Sequence, residues 1–445
     1  MQSDRVFLAE RRSARANMSR FLLTVWPVRT HLNPFMSVAH ALRQRGHEVA
    51  FYTGTAVLDI VRQQGFRCFP FQAVDDTRVE QAVRGLASRN WRPDNWHELM
   101  LGTVPEQLQD LEDVWKAWSP DAVLCDIAMW GPILVLHELK SAPLALLSHV
   151  ATCLLPGAEN PLPGMRWLLK GAGVGPLAPA LAGIAHWASA GVPRAANKLR
   201  ETWGLPPLSG TVTEFTGRLP LYLIPGTPAF DGDRRDLPPS AHYIGPCLWD
   251  KDRDQPPPEW IDSVPRDLPR VIVAEGSIYP EKPLLLQMAA RGLANLPVNV
   301  VLVAGEGRSL ESLNLGPLAP NVRLKSWTPL SDLLTIADLL VANGDSETAM
   351  ASIEQRVPMV LVPMILDQPE ISWLVSAAGA GLRIPRWKCT PQRLAAAVAR
   401  ALAESQFRNN AARVQHDFAE YSGADQACRL LETLTAQNRA HQRTY

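Results

Sequence analysis

Residues 21–53 read FLLTVWPVRTHLNPFMSVAHALRQRGHEVAFYT, and this stretch decides the fold class. Its first five residues, apolar except for Thr24, predict a buried strand. Pro34 then opens a segment in which apolar residues recur at helical spacing until Gly46, and Val49–Tyr52 form the next apolar run. This strand–helix–strand order predicts a parallel, doubly wound α/β sheet, with the loop of residues 29–33 at the carboxyl end of the first strand.

The same alternation of apolar runs and helical patterns continues to the end of the chain. Further strands are predicted at 122–125, 144–147, 271–274, 300–303, 339–342 and 359–362, and helices from 390 to about 437. A segment dense in Pro and Asp indicates a linker. The predicted organisation is a basic arm at 1–17, an N-terminal domain at 18–225, a linker at 226–269, a C-terminal domain at 270–424 and a helical tail at 425–445 that packs back on the N-terminal domain.

Composition and charge restrict the classes of function. A chain of 445 residues with 47% hydrophobic and 20% charged residues is an ordinary globular mixture, and its length predicts two domains. The 44 Lys and Arg residues balance the 44 Asp and Glu residues, so no net field favours nucleic acid or an anionic membrane. A small or neutral partner fits this balance better.

Targeting signals and cysteines indicate the compartment. The sequence contains no run of about eighteen apolar residues, and the basic N-terminus lacks the apolar centre of a signal peptide. The six cysteines have neither CxxC pairing nor zinc-finger spacing, which indicates reduced thiols. We therefore expect a cytoplasmic protein without stable membrane insertion, acting as a monomer or homodimer.

Several motifs resemble a known family. Near the N-terminus Thr30-His31-Leu32-Asn33-Pro34 is followed by Arg45-Gly46-His47-Glu48-Val49, and Tyr243-Ile244-Gly245-Pro246 lies mid-chain. The second half carries Gly276-Ser277, Trp327-Thr328-Pro329, Gly344 with Thr348, Val357-Pro358-Met359, Asp367-Gln368 and Gly379-Ala380-Gly381. In this order and spacing the set resembles the inverting glycosyltransferases of the GT1 family, which includes UDP-glycosyltransferases and bacterial natural-product glycosyltransferases. The resemblance runs from Met18 to the C-terminus and implies the GT-B fold, two doubly wound Rossmann-like domains that face each other across a cleft.

His31 is the candidate catalytic base. Inverting sugar transfer needs a group that takes the proton of the acceptor hydroxyl, and histidine, which titrates near neutrality, suits this role. The predicted loop places His31 between a strand and a helix N-terminus, at the crevice where such folds bind ligands. By the resemblance, Asp126 at the end of the 122–125 strand is its partner, which would orient the imidazole and stabilise the imidazolium.

The resemblance places a nucleotide-sugar site in the second domain, with no cofactor and no metal. Its donor-binding residues would be Gly276, Ser277, Trp327, Asn343, Gly344, Ser346, Thr348, Asp367 and Gln368. The turn at 343–348 would hold the diphosphate through backbone amides and hydroxyls, while Trp327 would stack on the nucleobase. Asp367 and Gln368 would bind hexose hydroxyls. The co-substrate is expected to be a UDP- or dTDP-hexose.

This turn departs from the family pattern at three positions. Asn343 stands where the family has a histidine, Asp345 where it has a second glycine, and Glu347 adds another carboxylate. Two carboxylates beside a diphosphate should repel it. Three explanations are open: the carboxylates point outward, the donor binds in an unusual way, or the protein has lost transferase activity.

A hydrophobic small-molecule acceptor is expected from the first domain, which is rich in tryptophan. Aromatic walls suit a flat or apolar aglycone, and Trp96, Trp130 and Trp167 are the candidates for acceptor binding. The motif Asp231-Gly232-Asp233, of a kind that other glycosyltransferases use for a metal, is interpreted as a solvated linker turn. A nucleotide-sugar epimerase and a binding or partner protein without transferase activity are the alternative functions.

Overall fold

The computed structural model describes residues 18–86, 101–140, 142–157, 159–160, 166–167, 191–232, 234–250, 256–276 and 282–444. The predictions for the arm at 1–17, for Trp96 and for Ser277 lie outside the described residues. Within these ranges, two parallel sheets form two Rossmann-like α/β domains. No helix in the described part of the chain has the length and apolar character that crossing a bilayer requires.

Seven strands of the described chain form the parallel sheet of the first domain. They are β1 (Arg20–Thr24), β2 (Glu48–Thr53), β3 (Arg67–Pro70), β4 (Ala122–Asp126), β5 (Leu144–Leu147), β6 (Leu221–Ile224) and β7 (Ala241–Tyr243), in the order β3-β2-β1-β4-β5-β6-β7. The helices are α1 (Arg29–Gln44), α2 (Thr55–Gln63), α3 (Asp76–Leu86), α4 (Val104–Trp118), α5 (His137–Leu139), α6 (Gly191–Thr202), α7 (Val212–Thr216) and α8 (Pro228–Asp231), with a π-helical turn at Pro132–Leu136. The strand order reverses between β1 and β4, which makes their carboxyl ends a ligand-binding crevice in folds of this kind.

Six strands of the described chain form the parallel sheet of the second domain. They are β8 (Arg270–Ala274), β9 (Asn299–Val303), β10 (Val322–Lys325), β11 (Leu339–Ala342), β12 (Met359–Leu361) and β13 (Gly381–Arg383), in the order β10-β9-β8-β11-β12-β13. The helices are α9 (Leu284–Gly292), α10 (Leu330–Ile336), α11 (Ser346–Glu354), α12 (Gln368–Ala377), α13 (Pro391–Ala403), α14 (Gln406–Ala419) and α15 (Ala424–Thr444), with 3-10 turns at Glu311–Leu313 and Arg386–Lys388. Here the order reverses between β8 and β11.

Both faces of each sheet are buried. In β1, Phe21 and Leu23 pack in one apolar cluster and Leu22 in another, because successive strand residues point to opposite faces. In β8, Val271 and Ile272 divide between two clusters in the same way. Each such side chain contributes about 1.5–3 kcal/mol through burial. Strands covered on both faces require continuous apolar runs, which is why the sequence predicts them well.

The C-terminal helix α15 crosses back to the first domain. Cys428 and Leu431 are buried in a cluster that includes Phe35 of α1. Arg45 pairs with Glu432 at 2.7 Å, and hydrogen bonding from Arg45 lowers the pKa of Glu432 to about 2. The last helix therefore belongs to the first domain by its contacts.

The helix α1 begins at Arg29, not at Pro34 as predicted. The carbonyl of Val28 accepts from the N–H groups of His31 and Leu32, both at 3.0 Å, so helical bonding starts before the proline. Pro34 lies inside α1 and removes only the hydrogen bond to the carbonyl four residues before it. His31 consequently sits in the first turn of the helix, and the prediction of a loop at 29–33 is wrong.

The strand β7 lies inside the segment 226–269 that the sequence predicts as a linker. It pairs in parallel with β6, and the N–H group of Tyr222 donates to the carbonyl of Ser240 at 2.7 Å. A strand of three residues is too short to stand out in a segment rich in Pro and Asp. The first domain therefore extends at least to Tyr243, and the linker prediction is wrong for this part.

Asp231 is fully buried, so the interpretation of Asp231-Gly232-Asp233 as a solvated turn is wrong for its first residue. The Asp231 carboxylate accepts from the Tyr243 hydroxyl at 2.5 Å and pairs with Arg166. Arg166 also pairs with Glu370 of the second domain at 2.5 Å. Because these buried charges have partners, the network can join the two domains without leaving an uncompensated charge.

Candidate active site

The structure brings His31 and Asp126 together at the crevice between β1 and β4. His31 lies in the first turn of α1, which follows β1, and Asp126 is the last residue of β4. The Nδ1 atom of His31 is 2.7 Å from Oδ2 of Asp126. The His31 side chain is 14% exposed and that of Asp126 is fully buried, so only the histidine can meet a substrate.

Backbone groups and imidazoles keep Asp126 ionised. Its carboxylate accepts the N–H groups of Trp26 at 3.1 Å and Ala128 at 2.9 Å. Burial by itself would raise the pKa of Asp126, but the charge of His31 and the polar contacts of His31 and His149 outweigh it and hold the pKa well below its usual value. An ionised carboxylate at Nδ1 selects the imidazole tautomer that leaves Nε2 as the basic nitrogen.

A second histidine, His149, lies against this pair. It follows β5 by two residues, and its ring stacks on that of His31 with centroids 3.6 Å apart and 24° between the planes. Its Nδ1 atom is 3.5 Å from Oδ1 of Asp126. Polar residues at the ends of neighbouring parallel strands meet at one edge of a sheet, and this signal at Ser148-His149 could have identified His149 as a site residue.

The candidate donor site lies at the corresponding crevice of the second domain. Gly276 follows β8 and Asn343 follows β11, and the Asn343 side-chain amide donates to the Glu275 carbonyl at 2.9 Å. Gly344 has φ +83°, and a Cβ atom there would come within 3.0 Å of Leu361. A residue with a side chain would be strained at this position, so glycine shapes the turn between β11 and α11.

The start of α11 is capped by carboxylates. Asp345 accepts from the N–H group of Thr348 at 2.9 Å and from its hydroxyl at 2.8 Å. Asp367 accepts from the N–H group of Ser346 at 3.1 Å, while the Ser346 hydroxyl accepts from the Ala151 N–H of the first domain at 2.7 Å. Asp345 therefore turns back onto its own helix, and the groups predicted to hold phosphate already have partners in this conformation.

Glu347 carries less charge than the sequence suggests. Burial and the charge of Asp345 raise the pKa of Glu347 to about 8. The side-chain amide of Asn33 in α1 donates to the Glu347 carboxyl group across the cleft. At neutral pH Glu347 is thus mostly protonated, and the expected repulsion between two carboxylates and a diphosphate is reduced by one charge.

Arg29 reaches from the first domain to the candidate nucleotide site. Its guanidinium pairs with Glu306 at 2.6 Å and lies 4.9 Å from the centroid of the Trp327 ring. Arg29 and Asn33 are four residues apart in α1, so both face the second domain while His31 faces Asp126. One helix therefore carries the candidate base and two contacts to the other domain, which sequence reasoning had not assigned.

A solved structure has the same arrangement of two domains. The glycotransferase of kitacinnamycin superposes with a TM-score of 0.73, at 22% identity, and the match covers 94% of this chain and 98% of that one. With two facing Rossmann-like domains, this architecture is the GT-B fold.

Known sequences connect the chain to enzymes. Residues 289–432 match the family described as Erythromycin biosynthesis protein CIII-like, C-terminal domain. The chain is 27% identical over 432 residues to 4'-demethylrebeccamycin synthase of Lentzea aerocolonigenes, covering 94% of this chain and 99% of the relative. It is 25% identical over 438 residues to demethyllactenocin mycarosyltransferase of Streptomyces fradiae, covering 94% and 87%. The chain is a glycosyltransferase.

The predicted hexose contacts of this glycosyltransferase are partly engaged within the protein. The Gln368 side-chain carbonyl accepts from the N–H groups of Met364 at 2.8 Å and Ile365 at 3.1 Å. Burial and the charge of Asp345 raise the pKa of Asp367 to about 6. Asp367, which accepts from the Ser346 N–H group, joins the loop after β12 to the start of α11, and Gln368 shapes the loop between β12 and α12.

Trp130 and Trp167, the two candidate acceptor tryptophans that the structure describes, differ in their exposure. Trp130 is 2% exposed and packs in the core of the first domain, so its ring does not line an open cleft. Trp167 is half-buried, and the guanidinium of Arg383 lies 4.9 Å from its ring centroid. The acceptor-binding prediction for Trp130 is therefore not matched by its place in this glycosyltransferase.

Proposed function

We propose that this glycosyltransferase transfers a hexose from UDP or dTDP to a hydroxyl group of a hydrophobic small molecule, with inversion at the sugar C1 and without a metal. The pair of His31 and Asp126 carries this proposal. A histidine open to the cleft is hydrogen-bonded at 2.7 Å to a buried, ionised carboxylate. This is the arrangement of an oriented general base, and no covalent intermediate is needed for single displacement.

The proposed reaction uses Nε2 of His31, because Nδ1 is bound to Asp126. The acceptor hydroxyl gives its proton to Nε2 while its oxygen forms a bond to C1 from the face opposite the nucleotide. The bond between C1 and the diphosphate oxygen breaks, and its electron pair leaves with the nucleoside diphosphate. Asp126 stabilises the imidazolium formed in this step. General base catalysis of this kind contributes about 10²- to 10⁴-fold to a rate.

Proton transfer suits the geometry of these side chains better than metal binding does. His31, Asp126 and His149 each offer one atom, and these atoms lie within 4.8 Å of one another, as in a metal site. However, the two imidazole rings are stacked with only 24° between their planes. Lone pairs in nearly parallel planes do not converge on one ion in the way that zinc ligands do. This geometry supports the metal-independent reaction.

Two features support a nucleoside diphosphate beside α11. Arg29 brings a guanidinium next to Trp327, the candidate for stacking on the nucleobase. It pairs with Glu306 in this conformation, and we propose that the diphosphate takes the place of that carboxylate, because guanidinium groups bind phosphate well. Glu347, with a pKa of about 8, carries little negative charge at neutral pH. The relatives named as a mycarosyltransferase and as 4'-demethylrebeccamycin synthase further support a sugar donor and a natural-product acceptor.

The test combines nucleotide binding with product analysis. UDP and dTDP are titrated calorimetrically into protein dialysed against EDTA, and transfer from UDP-α-glucose and dTDP-α-glucose is measured with a panel of phenols and apolar alcohols. We expect one nucleotide to bind without metal and the product to be the β-glycoside. An α-glycoside would overturn inversion, and activity that EDTA abolishes and Mg²⁺ restores would overturn metal independence. Failure of both nucleotides to bind would overturn the donor class.

Substitution of Glu347 tests how the donor site tolerates carboxylates. As pH rises through about 8, ionisation of Glu347 adds a negative charge, so the Kd of wild-type protein for the nucleoside diphosphate should increase about 3- to 10-fold between pH 7 and 9. Glu347→Gln should bind as tightly as wild type at pH 7 and lose this increase. Calorimetric titration at several pH values measures both.

The matched control for this prediction is Glu354→Gln. Glu354 ends the same helix, about 10 Å from Glu347 along its axis, and its substitution should leave the wild-type pH dependence intact. Changes in the ionisation of the diphosphate itself affect all three proteins equally. Equal pH dependence in wild type and Glu347→Gln would show that Glu347 does not face the nucleotide.

A further inference from the structure

His149 shares Asp126 with His31. The carboxylate lies between two ring nitrogens, with Oδ2 2.7 Å from Nδ1 of His31 and Oδ1 3.5 Å from Nδ1 of His149. The imidazole rings stack at a centroid distance of 3.6 Å. His31 therefore has a neighbour that both covers one face of its ring and competes for the same negative charge.

The charged groups around His149 come from three elements. His31 lies in α1, Asp126 ends β4, and Asp367 precedes α12. Burial and the charge of His31 lower the pKa of His149, against the opposing effect of Asp126 and Asp367. Two imidazolium rings in contact would repel each other, and one buried carboxylate cannot neutralise both. The stacked pair therefore favours a single proton, and a proton on either ring disfavours one on the other.

We propose that His149 is a positioning residue for the base: its ring fixes the plane of His31, and it shares the carboxylate of Asp126 with His31. This inference rests on the proposed function for the role of His31. It assigns a task to a residue outside the proton transfer itself, since the proton of the acceptor hydroxyl goes to Nε2 of His31. Stacking also restricts rotation of the His31 ring about its side-chain bonds, which preserves the geometry needed for attack.

The first test separates the stacking from the competition for charge. His149→Phe keeps a flat ring but removes the second basic nitrogen, whereas His149→Ala removes both. In His149→Phe, the Asp126 carboxylate interacts with the His31 ring alone, so the imidazolium of His31 becomes more stable. The acidic limb of the plot of kcat/KM against pH should therefore move to higher pH by about 0.5–1 unit. The rate on the alkaline plateau should stay within about threefold of wild type for Phe and fall more than about tenfold for Ala.

Two outcomes of this test would overturn the inference. An acidic limb that stays in place or moves to lower pH in His149→Phe would show that His149 does not compete for Asp126. Equal plateau rates for the Phe and Ala variants would show that stacking does not position His31. His137→Phe, the same change at a histidine that contacts Phe215 elsewhere in the first domain, is the matched control and should leave the profile unchanged.

A second test does not require turnover, so it distinguishes failure of this inference from failure of the proposed function. Histidine labelled with ¹³C at Cε1 is observed by NMR as pH is varied, and His31 and His149 are assigned by substitution. His31 should titrate at higher pH in His149→Phe than in wild type, and His137→Phe should not differ. An unchanged titration of His31 would overturn the inference even in an active enzyme. His149→Leu, which also removes the ring nitrogens and has no group that can contact the Asp126 carboxylate through a hydrogen bond, should give the same upward shift and serves if the Phe variant does not fold.

Discussion

His31→Gln is expected to lower kcat about 10³-fold while the Kd for the nucleoside diphosphate changes less than about twofold. Glutamine has no group that can take the acceptor proton, and general base catalysis accounts for a factor of this size. The proposed nucleotide site lies in the second domain, and Arg29 rather than His31 reaches it from α1. Initial rates at saturating substrates and calorimetric titration measure the two quantities.

The control for His31 is His416→Gln. His416 is exposed on α14 of the second domain, away from the crevice between β1 and β4, and its substitution should leave both quantities unchanged. If His31→Gln retained more than about a tenth of wild-type kcat, His31 would not be the base. If it instead lost nucleotide binding, the residue would act in closing the domains and not in proton transfer.

Asp126→Asn is expected to lower kcat by about 10²- to 10⁴-fold, because an amide no longer selects the His31 tautomer with a basic Nε2 and no longer stabilises the imidazolium. The same substitution should change the pH dependence of stability. Interactions with His31 and His149 lower the pKa of Asp126 in the folded protein, so its contribution to the free energy of unfolding is present above the unfolded pKa, near 4, and is lost as pH falls below it. Denaturant unfolding between pH 7 and 3 measures this contribution.

Asp113→Asn is the matched control for Asp126. Asp113 is 76% exposed on α4 and pairs only at the surface with Lys116, so its substitution should alter neither kcat nor the slope of stability with pH. Wild-type turnover in Asp126→Asn would remove the carboxylate from the mechanism. A wild-type slope of stability with pH in that variant would show that the pKa of Asp126 is not lowered by its imidazole partners.

The strands and the order of the motifs could be predicted from the sequence because they depend on patterns of neighbouring residues. Strands such as Leu144–Leu147 and Leu339–Ala342 are buried on both faces and therefore consist of unbroken apolar residues. His31 and Asp126 could be proposed as partners from the family pattern and from their places after two strands. Their 2.7 Å contact depends on β1 and β4 being neighbours in the sheet.

Other features of the structure could not be predicted, because no pattern of neighbouring residues indicates them. The strand β7 has three residues in a segment rich in Pro and Asp, and the early start of α1 depends on the Val28 carbonyl. Asp231 lies in a motif typical of solvated turns, and only its burial and its partners Arg166 and Tyr243 show that it is structural. Each of these depends on residues that are distant in sequence or on hydrogen bonds that no residue pattern encodes.

The sequence by itself determined that this protein has two parallel α/β domains and the motif order of a GT1 glycosyltransferase, because buried strands and short motifs are properties of neighbouring residues. Only the tertiary structure decided the electrostatics of the site. In the folded protein the Asp345 side chain caps its own helix and the His149 ring stacks on the His31 ring. Burial and the charge of Asp345 raise the pKa of Glu347 to about 8. The physical reason is that ionisation and ring orientation depend on burial and on charges within a few ångströms, and the residues that supply them come from different strands and from both domains.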